Sequence, residues 1–147
     1  MKKSHLLFFG IITFFVLFSC DKNDNCEAII PAEPAFNIRI LDNEGNSLIG
    51  ENNIYKPSEI SLTRGSQIIN LIFNDDNEET YITLYYPEIE SGKDYQLKLN
   101  NEETDILNLE LKNIEGECFD FLSVEAFYVN GIAMQFDNDS YSYIIQK

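Results

Sequence analysis

The residues of this chain that could do chemistry are three cysteines, one histidine and 25 carboxylates. The histidine, His5, lies inside an N-terminal stretch with the marks of a secretory signal. Lys2 and Lys3 form a basic start, Leu6 to Phe18 is a 13-residue apolar run, and Ser19 precedes Cys20. Such a run is too short to span a bilayer as a permanent helix and is expected to leave with residues 1–19. A mature chain without histidine cannot build a Ser-His-Asp or Cys-His site, nor a zinc site that uses imidazole. Paired carboxylates could still hydrolyse a glycoside. Most of the acidic residues, however, stand among Asn and Gly in turn-like stretches, so the chain reads as a non-enzymatic protein with no catalytic residue and no cofactor.

Leu17-Phe18-Ser19-Cys20 resembles the lipobox of bacterial lipoproteins. A leucine three places before the cysteine and a small residue directly before it both fit, while Phe18 is bulkier than usual. The resemblance implies a lipoprotein signal peptide over 1–19 and acylation of Cys20 as the mature N-terminus. It also implies residence in the bacterial cell envelope, at the outer membrane, with the chain held to the membrane by its N-terminal lipid. An ordinary signal peptide that leaves Cys20 as a thiol is the alternative. Two or three acyl chains hold a protein stably where one does so only marginally. Asp21-Lys22-Asn23-Asp24-Asn25 suits a tether, and Asp21 and Lys22 resemble the export signal of Bacteroidetes surface lipoproteins; the leaflet stays open.

If Cys20 carries lipid, Cys26 and Cys118 are the pair left for a disulfide in a compartment where disulfides persist. Their bond would close a loop of roughly 90 residues, worth about 4 to 5 kcal/mol in the chain-entropy picture. Two free thiols, with Cys118 buried as a small apolar residue, are the alternative. Charge narrows the partners. The net charge is −15, and loss of Lys2 and Lys3 leaves 25 acidic against 8 basic side chains, about −17. A phosphate backbone demands a basic surface, so nucleic acid is excluded.

The elements that must position these residues are strands. Residues 20–34 form the acylated cysteine and tether, stiffened by Pro31 and Pro34, and 35–147 alternate with period two. Phe36, Ile38 and Ile40 alternate with Asn37 and Arg39. Gln67 to Phe73 reads as one apolar strand. Thr80 to Tyr86 puts Ile82, Leu84 and Tyr86 on one face and Tyr81, Thr83 and Tyr85 on the other. Asn130-Gly131 between apolar runs signals a type I′ hairpin, and Ile132 to Phe136 returns from it. A helix over 118–128 is opposed by its β-branched and aromatic residues. These patterns predict an all-β, immunoglobulin-like antiparallel sandwich of about eight or nine short strands after an N-terminal signal helix.

The strand Phe36 to Asp42, the segment Tyr55 to Ile60, Glu117-Cys118-Phe119 and the Val129-Asn130-Gly131 hairpin together resemble small flavobacterial-type lipoproteins of uncharacterised role. That resemblance implies an envelope lipoprotein and no activity. Among the strands, Tyr81 with Tyr85, and Tyr141 with Tyr143, are expected to share faces and could stack on a sugar or a peptide; equally, tyrosine simply fits strands. The acidic runs 42–46, 75–79 and 137–139 offer oxygens to calcium, but none has the EF-hand spacing, so they read as turns and no metal site is assigned. The leading expectation is a membrane-anchored, non-enzymatic interaction module that pairs with another envelope protein. A small-ligand or glycan binder that uses the tyrosines is the runner-up, and a passive coat lipoprotein the third reading.

Overall fold

Period-two alternation becomes strand nearly everywhere it occurs. The computed structural model describes residues 34–76, 79–116 and 118–147. Its strands are β1 (Ala35–Leu41), β2 (Ser61–Arg64), β3 (Gln67–Ile69), β4 (Leu71–Asp76), β5 (Glu79–Tyr85) and β6 (Asp94–Lys98). They continue as β7 (Thr104–Ile114), β8 (Phe121–Val129), β9 (Ile132–Ala133), β10 (Phe136–Asp137) and β11 (Ser142–Gln146). One short 3-10 turn, Pro57–Glu59, starts on a proline whose missing N–H costs nothing there. Among the described residues no helix is long and apolar enough to cross a membrane.

The strands form two packed sheets, an all-β sandwich. One has the order β10-β11-β1-β5-β4, the other β3-β2-β6-β7-β8-β9. Among the described residues the strands pair antiparallel except that β11 lies parallel to β1, with Ile38 opposite Tyr143 and Ile40 opposite Ile145; an isolated bridge between Ile49 and Tyr55 is also parallel. The expected antiparallel sandwich departs from antiparallel pairing at β11, because this strand slots between β10 and β1. Where a helix over 118–128 was the weaker option, the chain forms β8, as its aromatic and β-branched content favours.

The core follows from the alternation. Phe36, Ile38 and Ile40 of β1 and Ile82 and Leu84 of β5 face Leu97 of β6, Leu107 and Leu109 of β7, and Phe127 of β8. The Phe36 and Phe127 rings meet at 5.3 Å across the two sheets. Each such side chain contributes on the order of 1.5–3 kcal/mol by leaving water. Eleven strands appear among the described residues rather than eight or nine, because two expected strands each divide at a corner. At Asn70 the chain leaves β3 in one sheet for β4 in the other, and at Met134-Gln135 it passes from β9 to β10. At the first corner Ile69, Leu71 and Phe73 all stay on the core side, so the alternation runs through it unbroken; at the second, Met134 packs against the core while Ile132 and Phe136 are exposed.

Asn130 and Gly131 both take positive φ, 52° and 78°, as a type I′ turn requires. The Asn130 side chain does more than permit the turn. Its Oδ1 accepts from the Ile106 backbone N–H at 2.8 Å, and its Nδ2 donates to Asp105 at 2.8 Å. The hairpin is thereby tied to the start of β7.

Candidate functional site

The outward positions of β1, β5 and β4 build a polar face. Arg39 lies with its guanidinium 5.3 Å from the Tyr81 ring centroid and is bonded to Glu79. Its other end approaches Asp76 at 3.8 Å, and its Nε donates to Ser142 Oγ at 3.4 Å. Beside it, Asn74 donates to Thr83 Oγ1 at 2.9 Å and Thr83 donates to Asn37 Oδ1 at 2.8 Å. Tyr81 and Tyr85 do share this face, both half-buried. Arg39 covers the ring of Tyr81, so that ring is not a bare stacking platform.

The second tyrosine pair divides. Tyr141 is 72% exposed and has φ 50°, outside any strand. Tyr143 turns inward, its ring 5.0 Å from Phe36, 4.9 Å from Phe127 and 5.1 Å from Phe136. Burial raises the phenol pKa of Tyr143. The expectation that the two share a face is therefore corrected. Positive φ at Tyr141 breaks the alternation two residues before Tyr143, which is half-buried and packs against the core.

The acidic turns close on themselves. Asp42 accepts from the backbone N–H groups of Glu44 and Asn46 and from the Asn46 side chain, all at 2.8–2.9 Å. The bonds from Asn46 are the main cause of its lowered pKa. Asp137 accepts from the Ser140 hydroxyl at 2.5 Å and from the Ser140 N–H at 3.1 Å, and its pKa falls for the same reason. These are turns in which a side chain replaces a backbone acceptor. Among the described residues no three of His, Cys, Asp and Glu come together as a metal site.

A charged cluster lies where β7 begins. Asp105 is only 2% exposed, and Lys147 Nζ lies 2.7 Å from its Oδ2 and 2.7 Å from Glu103 Oε1. Asp105 Oδ2 is shut off from solvent and rests on that ion pair rather than on a well-aligned hydrogen bond. Tyr55 donates to Glu103 Oε2 at 2.5 Å. The hydrogen bond from Lys147, then that from Tyr55, lowers the Glu103 pKa. Burial alone would lower Lys147, but its bonds to Asp105 and Glu103 outweigh that and raise it. Burial first, and the bond to Glu103 second, raise Tyr55. Every group here is engaged by another, which makes the cluster a clamp between Lys147 and β7.

Open concavities also lie among the described residues. A groove of about 580 Å³ crosses the outer face of β6, β7 and β8, with Ile106 and Tyr128 as its apolar part and Asp94, Asn108 and Glu110 as its polar part. A second, of about 410 Å³, lies beside β4 and holds Ile69, Ile72, Tyr85 and Glu88. Cys118 is disulfide-bonded. The chain's other cysteines, Cys20 and Cys26, and with them the lipidation and pairing expectations, lie outside the described residues.

No protein-family model, curated protein or solved structure matches this chain. The outer faces of β1 and β5 were legible in the alternation; that of β4 was not, because Asn74, Asp75 and Asp76, which read as a turn, continue the strand and pair with β5. Tyr128 in the larger groove and the Asp105 clamp were missed. Asp105 had a readable signal: it is in phase with Leu107 and Leu109, a carboxylate on the inward face of a strand.

Proposed function

We propose that this protein is a lipid-anchored lipoprotein of the bacterial cell envelope whose β-sandwich is a non-enzymatic protein-interaction module. The observation that carries this reading is how the polar groups are used. The carboxylates of the Asp105 cluster and of the turns at Asp42 and Asp137 are held by neighbours in the fold. Apolar side chains, by contrast, remain at the surface along sheet edges and in the two grooves. A surface of this kind suits docking better than proton transfer, which needs a carboxylate open to substrate. Acylation of Cys20 at the outer membrane and a Cys26–Cys118 bond complete the proposal, and the bonded state of Cys118 supports the second of these.

Cross-linking in the native membrane, followed by identification of what copurifies, tests the reading. A stoichiometric envelope protein is the expected result; recovery of the chain alone would overturn it. Intact mass should show acyl chains on Cys20 and no residues 1–19. The small-ligand or glycan reading is favoured by one observation only, the juxtaposition of Tyr128 with Asn108 and Glu110 in the larger groove. It moves the aromatic role away from Tyr81, Tyr85, Tyr141 and Tyr143. Sugar binding abolished by Tyr128→Ala in a folded protein would promote it.

A further inference from the structure

Four strands end the two sheets. Of these, β3 has three residues and β9 and β10 have two each, whereas β4 has six. Very short edges are one way a fold denies pairing to other chains, and β4 does not use it. Alternate residues of an edge strand aim N–H and C=O groups away from the sheet. Among the described residues no strand pairs with β4 except β5, and no other backbone bond reaches it.

The core is also unsealed along this edge. Leu71 and Phe73 point inward and touch the core yet stay half-buried, while their neighbours on β5, Leu84 and Ile82, have no exposure at all. On the outward side Ile72 is 38% exposed and borders the smaller groove. One more strand would cover Leu71 and Phe73 and pair the open backbone in a single step. Charge decides which strand. Asp75 stands near one end of the edge and Glu88 beside the other, both exposed, on a chain of net charge −15. A second copy brings the same charge and is repelled; edge charges are a known device against self-pairing.

We propose that the β4 edge accepts an extended, lysine- or arginine-bearing strand of an envelope partner protein, which lengthens the five-stranded sheet by β-augmentation. Backbone pairing supplies the attachment, apolar side chains of the strand cover Leu71, Phe73 and Ile72, and its flanking cations meet Asp75 and Glu88. This rests on the interaction-module reading and names the partner's chemistry.

The test uses the full-length chain in zwitterionic detergent micelles and a short peptide of alternating valine and lysine. The expected result is saturable binding with slowed amide exchange confined to Leu71–Asp76, and no binding of the same peptide with glutamate in place of lysine. The double substitution Asp75→Lys with Glu88→Lys should weaken the lysine peptide by about tenfold or more. If the double variant does not fold, Glu88→Lys alone, in an exposed loop, should weaken it by about threefold. Binding indifferent to these reversals, or protection mapped elsewhere, overturns the proposal. So does a concentration-dependent dimer that protects the same amides. A captured envelope partner that contacts another surface overturns the edge proposal and leaves the module reading intact; no partner and no peptide binding overturns both.

Discussion

Substituting Lys147→Met should cost about 2–4 kcal/mol of folding stability. Methionine keeps most of the side-chain length, and the Lys147 backbone N–H still donates to Leu41 O at 3.0 Å, so β11 keeps its seat. What is lost is, among the described residues, the one cation within contact of Asp105, whose buried carboxylate there keeps only the Asn130 amide. Removing one partner of a buried ion pair costs about 3–5 kcal/mol, because the other charge stays behind uncompensated. Glu103 adds little to that figure: its side chain is 39% exposed and water screens it. Asp105→Asn should cost only about 1 kcal/mol, since the amide can still face Asn130 and Lys147 keeps Glu103. The double variant should then cost less than the sum of the two single ones. Urea unfolding followed by circular dichroism reads all three. The pH dependence gives a second check. Glu103 is lowered, so its contribution is present above the unfolded carboxyl pKa and is lost as pH falls through the lowered folded value. Lys147 is raised, so its contribution is present below the unfolded amine pKa and is lost as pH rises through the folded value. Stability should therefore be flat from about pH 5 to about pH 10. Lys147→Met should lower that plateau and move its acid edge upward. A loss below about 0.5 kcal/mol with an unchanged acid edge would refute the clamp.

Tyr143→Ala should cost about 3 kcal/mol or more, as expected for emptying an aromatic cluster, while Tyr141→Ala should stay within about 0.5 kcal/mol; thermal unfolding separates the two. Asn130→Ala should cost about 1–3 kcal/mol, since it forfeits both a residue tolerant of positive φ and the bonds to Ile106 and Asp105, and hydrogen exchange should show the β8–β9 hairpin loosened first. Cys118→Ser should cost about 2–5 kcal/mol, and the unsubstituted chain should lose the same amount in a thiol reductant that leaves the variant unaffected.

What could be read from the chain, and what could not, follows from the range over which each signal acts. Alternation is local, so it placed Phe36, Ile38 and Ile40 and the two faces of β5 correctly. The corner at Asn70 left no local trace, because Ile69, Leu71 and Phe73 keep their core side toward the core while the strand changes sheets. The parallel seat of β11 beside β1 depends on a contact about a hundred residues apart, which no periodicity records. The candidate sites divide along the same line. Tyr81 and Tyr85 share a face because the period says so, but only the fold brings Arg39 over the Tyr81 ring. Asp105 stood visibly out of pattern on an apolar face, and an inward carboxylate must find a cation; only the fold brings Lys147, 42 residues away, to it. Edge strands belong with the long-range class. Nothing in Leu71-Ile72-Phe73 distinguishes a central strand from a terminal one, and only the order of the sheet leaves β4 open where β5 is enclosed. Asp75, within β4, and Glu88, beside its other end, carry the charge on which the proposed β-augmentation selects its strand.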